Sequence, residues 1–160
     1  MDRETKKLLA TGGLSAVVLS TATSIIVAWE GVRTRPYKDP VGVLTVCYGH
    51  TGKDIQKREY TRAECAALLK KDVDRHAAAL QCIKTPLNEY HQAAFVSFAY
   101  NVGAGAFCGS TLVKKANAGD MKGACAELSR WTKAGGKTIS GLVNRRAAER
   151  AICEKGLQND

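Results

Sequence analysis

Two carboxylates and a hydroxyl stand close together early in this chain, within the stretch Trp29 to His50, WEGVRTRPYKDPVGVLTVCYGH. Glu30 comes first, Asp39 follows nine residues later in a turn-forming Lys-Asp-Pro, and Thr45 lies six residues further on. This set suits hydrolysis of a glycosidic bond by the inverting route. There a protonated carboxylic acid donates to the leaving oxygen, a carboxylate on the other side activates water, and the gap between them holds that water. A Glu at a helix end among apolar neighbours is suited to be the acid. An Asp in an open polar turn suits the base, and a strand Thr can hold the water. Spacing alone favours two ordinary surface carboxylates.

The elements that must carry these residues can be read from periodicity. Residues 42–48 alternate, with Val43, Thr45 and Cys47 on one face and Leu44, Val46 and Tyr48 on the other. That predicts a short strand between Gly42 and Gly49, followed over 49–58 by a turn and a return strand. Thr61 and Glu64 form a capping box. They open a helix with Ala66, Leu69, Val73, Ala77 and Leu80 at helical spacing. After Pro86 a second helix runs to Gly103, with Phe95, Phe98 and Val102 inward. Ser110 opens a short helix closed by Gly119, Asp120 caps another reaching Trp131, and a last helix covers about 141–155. The fold class is α+β, mainly α: a small sheet near the start, then helices.

The chain has 160 residues, 45% of them hydrophobic and 24% charged, which is one domain with a packed core. The net charge of +9 favours anionic partners. No basic helix with interleaved aromatics and no nucleic-acid motif is present, so nucleic acid is not expected. The six cysteines, Cys47, Cys65, Cys82, Cys108, Cys125 and Cys153, form no CxxC pair and none has zinc-finger spacing to a histidine. They point to disulfides in an oxidising compartment rather than to metal. Neither a metal nor a cofactor is expected, and the connectivity is open on these grounds.

Residues 8–28 carry no charge and follow Arg3, Lys6 and Lys7. Twenty-one residues can span a bilayer as a helix. Eight of them are Gly, Ser or Thr and only nine are large aliphatics, so insertion is marginal. A cleaved signal peptide, a buried soluble helix and a weak, releasable membrane anchor all fit, and the composition favours the last. The basic residues then place residues 1–7 in the cytoplasm and the remainder outside, in agreement with the cysteines.

Taken together, these motifs resemble the phage lysozyme (muramidase) family of the T4-lysozyme type, glycoside hydrolase family 24. The weak anchor is similar to that of its signal-arrest-release endolysin branch. The likeness rests on the Glu30, Asp39, Thr45 spacing followed by GHTG at Gly49–Gly52, within the stretch Tyr37–Ile55. It continues through NVGAG at Asn101–Gly105, STL at Ser110–Leu112, GAC at Gly123–Cys125, RW at Arg130–Trp131 and GLxxRRxxER at Gly141–Arg150. It covers nearly the whole chain.

The resemblance implies a two-lobed endolysin that cuts the β-1,4 bond between N-acetylmuramic acid and N-acetylglucosamine in peptidoglycan glycan strands. Glu30 would be the general acid, Asp39 the residue that positions or deprotonates water, and Thr45 its helper. Asn101, Arg130 and Trp131 match positions near the cleft and lobe junction, where sugar contact and packing are equal alternatives. His50 matches a structural position. Arg145, Arg146 and Glu149 would form a structural ion-pair network rather than a solvated face.

The implied organisation is a tail and releasable anchor over 1–28 and a catalytic domain over 29–160. Residues 8–28 would hold the enzyme, inactive, at the host inner membrane facing the periplasm, and release would leave it soluble there as a monomer. In that setting the expected disulfides are Cys47–Cys65, Cys82–Cys108 and Cys125–Cys153. Some anchored relatives exchange disulfides through a cysteine in the anchor; residues 8–28 contain none, so that switch is absent. The rival readings are a lytic transglycosylase, which requires no water-activating carboxylate, and a non-enzymatic holin-like protein, which would need little beyond the anchor.

Overall fold

A computed structural model describes residues 14–159. Helix α1 (Ala16–Glu30) begins at Ser15, whose side chain accepts the Val18 amide, and stops at Gly31, whose φ of 64° is left-handed. Glu30 is therefore its last residue. Val18, Ala22, Ile25 and Ile26 fall on one face of α1 and are buried. That face packs against α3 (Glu89–Val102), in which every residue from His91 to Ala99 is buried. A helix covered on all sides is a core helix, and α3 is packed by α1, α2 (Arg62–Ala77) and α7 (Ser140–Gly156).

Residues 1–13, which include the tail and the first part of the 8–28 segment, lie outside the described residues. The line between 28 and 29 falls inside α1. No helix among the described residues is long and apolar enough to cross a membrane.

The sheet is antiparallel in the order β1 (Arg33–Lys38), β2 (Leu44–Cys47), β3 (His50–Thr51). The strand predicted over 42–48 forms over its centre. Thr45, Val46 and Cys47 are all buried, so both faces of β2 are covered at its end. β1 was not foreseen: RTRPYK lacks alternation, and its Pro36 is tolerated because β1 is an edge whose register with β2 shifts between Arg33 and Tyr37.

The capping box of α2 forms as expected, with Glu64 N donating to Thr61 Oγ1 at 3.1 Å and Thr61 N to Glu64 Oε2 at 2.7 Å. Its inward residues include Cys65, Leu69 and Val73, whereas Ala66 is exposed. α2 joins two apolar clusters: Cys65 packs with Val46, Cys47 and Tyr60 beside the sheet, and Leu69 and Val73 enter the main helical core. The chain continues through α4 (Ala104–Cys108), α5 (Thr111–Asn117, capped by Ser110) and α6 (Met121–Glu127, capped by Asp120). A hairpin of β4 (Lys133–Ala134) and β5 (Lys137–Thr138) turns on Gly135 and Gly136, whose φ values of 57° and 79° suit that tight turn.

Three disulfides, the pairs expected above, fasten these elements. Cys47–Cys65 ties β2 to α2, Cys82–Cys108 ties the 3-10 turn after α2 to α4, and Cys125–Cys153 ties α6 to α7.

Candidate active site

The end of α1 delivers Glu30 to a buried charge network on α7. Arg145 Nη1 donates to Glu30 Oε1 at 2.6 Å, Nε to Glu149 Oε1 at 3.1 Å, and Nη2 to the Ser97 carbonyl at 3.1 Å. Glu149 also accepts from Ser97 Oγ at 2.7 Å and from Arg146 Nη1. Burial pushes the Glu149 carboxyl above its ordinary range, opposed by the two guanidiniums and the Ser97 hydroxyl. Burial also pulls Arg146 down, while Glu149 opposes that shift. The sequence suggested apolar neighbours for Glu30; its polar partner is a guanidinium.

Glu30 Oε2 faces the sheet. A methyl group placed on Gly49 would sit 3.3 Å from it, and Gly49 has a φ of 77°. Glycine meets both demands there: the close approach and the left-handed backbone.

Asp39 occupies the loop between β1 and β2. Its Oδ1 accepts the Val41 amide at 2.9 Å and the Val43 amide at 2.8 Å, while its own amide donates to the Val43 carbonyl at 2.9 Å. These bonds fix the carboxyl's orientation and leave Oδ2 without a protein partner among the described residues. Thr45 is buried, and its hydroxyl donates to the same Val43 carbonyl at 3.0 Å. Asp39 and Thr45 are thus locked to one residue.

Of the three candidate sugar contacts, two join the network. Asn101 Oδ1 accepts from Arg146 Nη2, and the Trp131 carbonyl accepts from Arg146 Nε at 3.1 Å. The Trp131 ring meets Phe98 edge-on at 5.2 Å. Arg130 is exposed, with Glu127 3.9 Å away. His50 is buried away from this chemistry, its Nδ1 2.7 Å from Asp72 Oδ2 and its Nε2 3.1 Å from Asp54 Oδ1.

Sequence reasoning placed Arg145 in a structural cluster and did not foresee its bond to Glu30. A signal was present. Arg145, Glu149 and Cys153 share one face of a helix at four-residue spacing, so an inward Cys153 turns both charges inward.

The phage lysozyme family model matches residues 27–149. The chain is 53% identical over 152 residues to a SAR-endolysin of Bacteriophage PS119, covering 92% of this chain and 91% of that protein. It is 52% identical over 151 residues to a SAR-endolysin of Enterobacteria phage P21, covering 92% of each. Among solved structures it is similar to the muramidase domain of SpmX from Asticaccaulis excentricus, with a TM-score of 0.76 and 28% identity over 82% of this chain and 93% of that one.

Proposed function

The chain belongs to the phage lysozyme family, and from that membership we propose how its own residues cut the β-1,4 bond between N-acetylmuramic acid and N-acetylglucosamine. It is a phage endolysin of the muramidase type, and its substrate is peptidoglycan. Glu30 gives a proton from Oε2 to the leaving glycosidic oxygen, while Arg145 holds Oε1 and so orients the carboxyl. Asp39 presents Oδ2 to a water molecule and takes one of its protons. Thr45 has committed its hydrogen to Val43, so its oxygen can only accept, and it accepts the water's other hydrogen. The water attacks the anomeric carbon on the face opposite the leaving oxygen, and the configuration inverts. Asn101 and Trp131 brace the network behind Glu30, and exposed Arg130 is placed to meet anionic groups of the wall.

The observation that carries this reading is the division of labour in the geometry. Glu30 is clamped at 2.6 Å to Arg145 on the helical side, and Asp39 and Thr45 are locked together on the sheet side. A carboxylate held by one oxygen with the other left open supports hydrolysis over the transglycosylase route. Glu30→Gln and Asp39→Asn should each lower peptidoglycan hydrolysis by about 10²–10⁴-fold. Asp39→Asn should change the melting temperature little, whereas Glu30→Gln, which weakens the Arg145 bond, should lower it by a few degrees, so the two are compared at matched folded fraction. Early wild-type products should carry reducing ends of inverted anomeric configuration. Near-normal activity in either variant, retained configuration or anhydro-muramic products would overturn this assignment.

Control follows from α1. Before release, residues 8–28 hold the chain at the host inner membrane facing the periplasm, a reading supported by the name SAR-endolysin that its relatives carry. Val18, Ala22 and Ile26 cannot lie in lipid and in the helical core at once. While they lie in lipid, Glu30 sits at the membrane interface, apart from Arg145. Release lets α1 pack on α3 and brings Glu30 into place, leaving a soluble periplasmic enzyme.

A further inference from the structure

We propose that Tyr100 is a positioning residue for Glu30, acting through the turn Cys47–Gly49. Tyr100 lies on α3, and its hydroxyl donates to the Tyr48 carbonyl at 2.5 Å, a bond that runs from the helical core to the sheet. Tyr48 stands between two left-handed residues, Cys47 with φ 60° and Gly49 with φ 77°. A non-glycine residue in that region is held there only when its surroundings insist on it. Two ties do so: the disulfide to Cys65 on one side and the Tyr100 hydroxyl on the other.

The turn in turn bounds Glu30. Gly49 abuts Oε2, the oxygen that Arg145 does not engage, so displacement of the turn changes the space in which the proton-bearing oxygen sits. The Tyr100 ring is braced by His76, their centroids 5.0 Å apart, and His76 Nδ1 lies 2.7 Å from the Asp72 carbonyl oxygen. The Asp72 side chain meets His50, the residue that follows Gly49. Both ends of the turn are therefore fixed by one group of residues on α2 and α3. Burial, reinforced by the Asp72 and Glu30 charges, pushes the Tyr100 phenol upward, so it remains a donor throughout the working range.

This role presupposes Glu30 as the acid. The test compares purified full-length wild type, Tyr100→Phe, Gly49→Ala, the double variant and Glu30→Gln on isolated peptidoglycan. Phe keeps the ring and its packing and removes only the hydroxyl. In Tyr100→Phe, kcat should fall about tenfold with KM within about twofold, as expected for a misplaced reacting group. The alkaline limb of the kcat–pH profile, which reports the acid, should move. In the Gly49→Ala background, Tyr100→Phe should add less than about twofold, because both changes displace the same carboxyl.

An unchanged kcat in Tyr100→Phe would overturn the proposal. So would a full, independent loss on top of Gly49→Ala, or a loss that disappears once the folded fraction is matched by thermal melting. Full activity of Glu30→Gln would be a different failure, since it would remove Glu30 from the chemistry altogether.

Discussion

Arg145→Lys isolates the worth of a forked cation at the centre of the site. The native guanidinium reaches Glu30, Glu149 and the Ser97 carbonyl simultaneously, from a side chain that is 4% exposed. Lysine keeps the charge, but its ammonium is a single point on a flexible stem and cannot span three acceptors in fixed directions. With Glu149 fully buried, the ammonium should stay near it and give up the other two bonds. Hydrogen bonds to charged groups contribute about 1.5–3 kcal/mol each and neutral ones about 0.5–1.5, so losing Glu30 and Ser97 should cost about 2–4 kcal/mol. For a domain of this size, roughly 2–4 °C of melting temperature accompanies each kcal/mol, giving a drop of about 4–16 °C. Urea and thermal unfolding followed by circular dichroism would measure it, with Glu149→Gln completing a double-mutant cycle. The two losses should be coupled by at least about 1 kcal/mol, and kcat should fall as Glu30 Oε1 is freed. Stability within about 0.5 kcal/mol of wild type would refute the view that this network holds α1, α3 and α7 in register.

Ser20 and Ser24 are exposed on α1, so replacing both with Leu should strengthen insertion by about a kcal/mol per site while sparing the folded core. Membrane fractionation should then show longer retention and lysis should be delayed; unchanged release would refute the anchor model. The Glu64 carboxyl is pulled from 4.5 to about 2, chiefly by its bonds to Arg58 and then by the Thr61 amide. A folded-state value below the ordinary one stabilises the fold above about 4.5, and that contribution fades as pH falls towards 2. Because Gln preserves the capping box, the stability gap between wild type and Glu64→Gln should close over that interval in acid titrations of unfolding. Cys47→Ala/Cys65→Ala should cost about 3 kcal/mol by the loop-entropy estimate, read by urea unfolding, with the earliest loss of hydrogen-exchange protection in β2.

Features that depend on neighbours a few residues away were legible in the sequence. Thr61 with Glu64, Ser110 and Asp120 each satisfy an amide three residues ahead, so the helix starts were readable from residue types alone. Glu30, Asp39 and Thr45 were legible as a spaced set, and the family likeness supplied their roles. β1 and the β4–β5 hairpin were not readable, because a strand without alternation is defined by its partner rather than by itself. The Arg145–Glu30 bond joins residues 115 positions apart, and the Tyr100–Tyr48 bond joins residues 52 apart. Helical spacing with Cys153 could turn Arg145 inward, but no local pattern names its partner or that of Tyr100; both bonds exist because α3 brings α1, α7 and the sheet to one place.

Residues 16–28 show the division most clearly. Their uncharged, small-residue composition favoured a weak membrane anchor over a core helix, but both are apolar surroundings. Composition therefore did not decide where the segment sits in the folded enzyme. Packing decided where it goes in the folded enzyme: Val18, Ala22 and Ile26 are wholly buried in the protein, and Gly31 ends the helix so that the next side chain inward is Glu30.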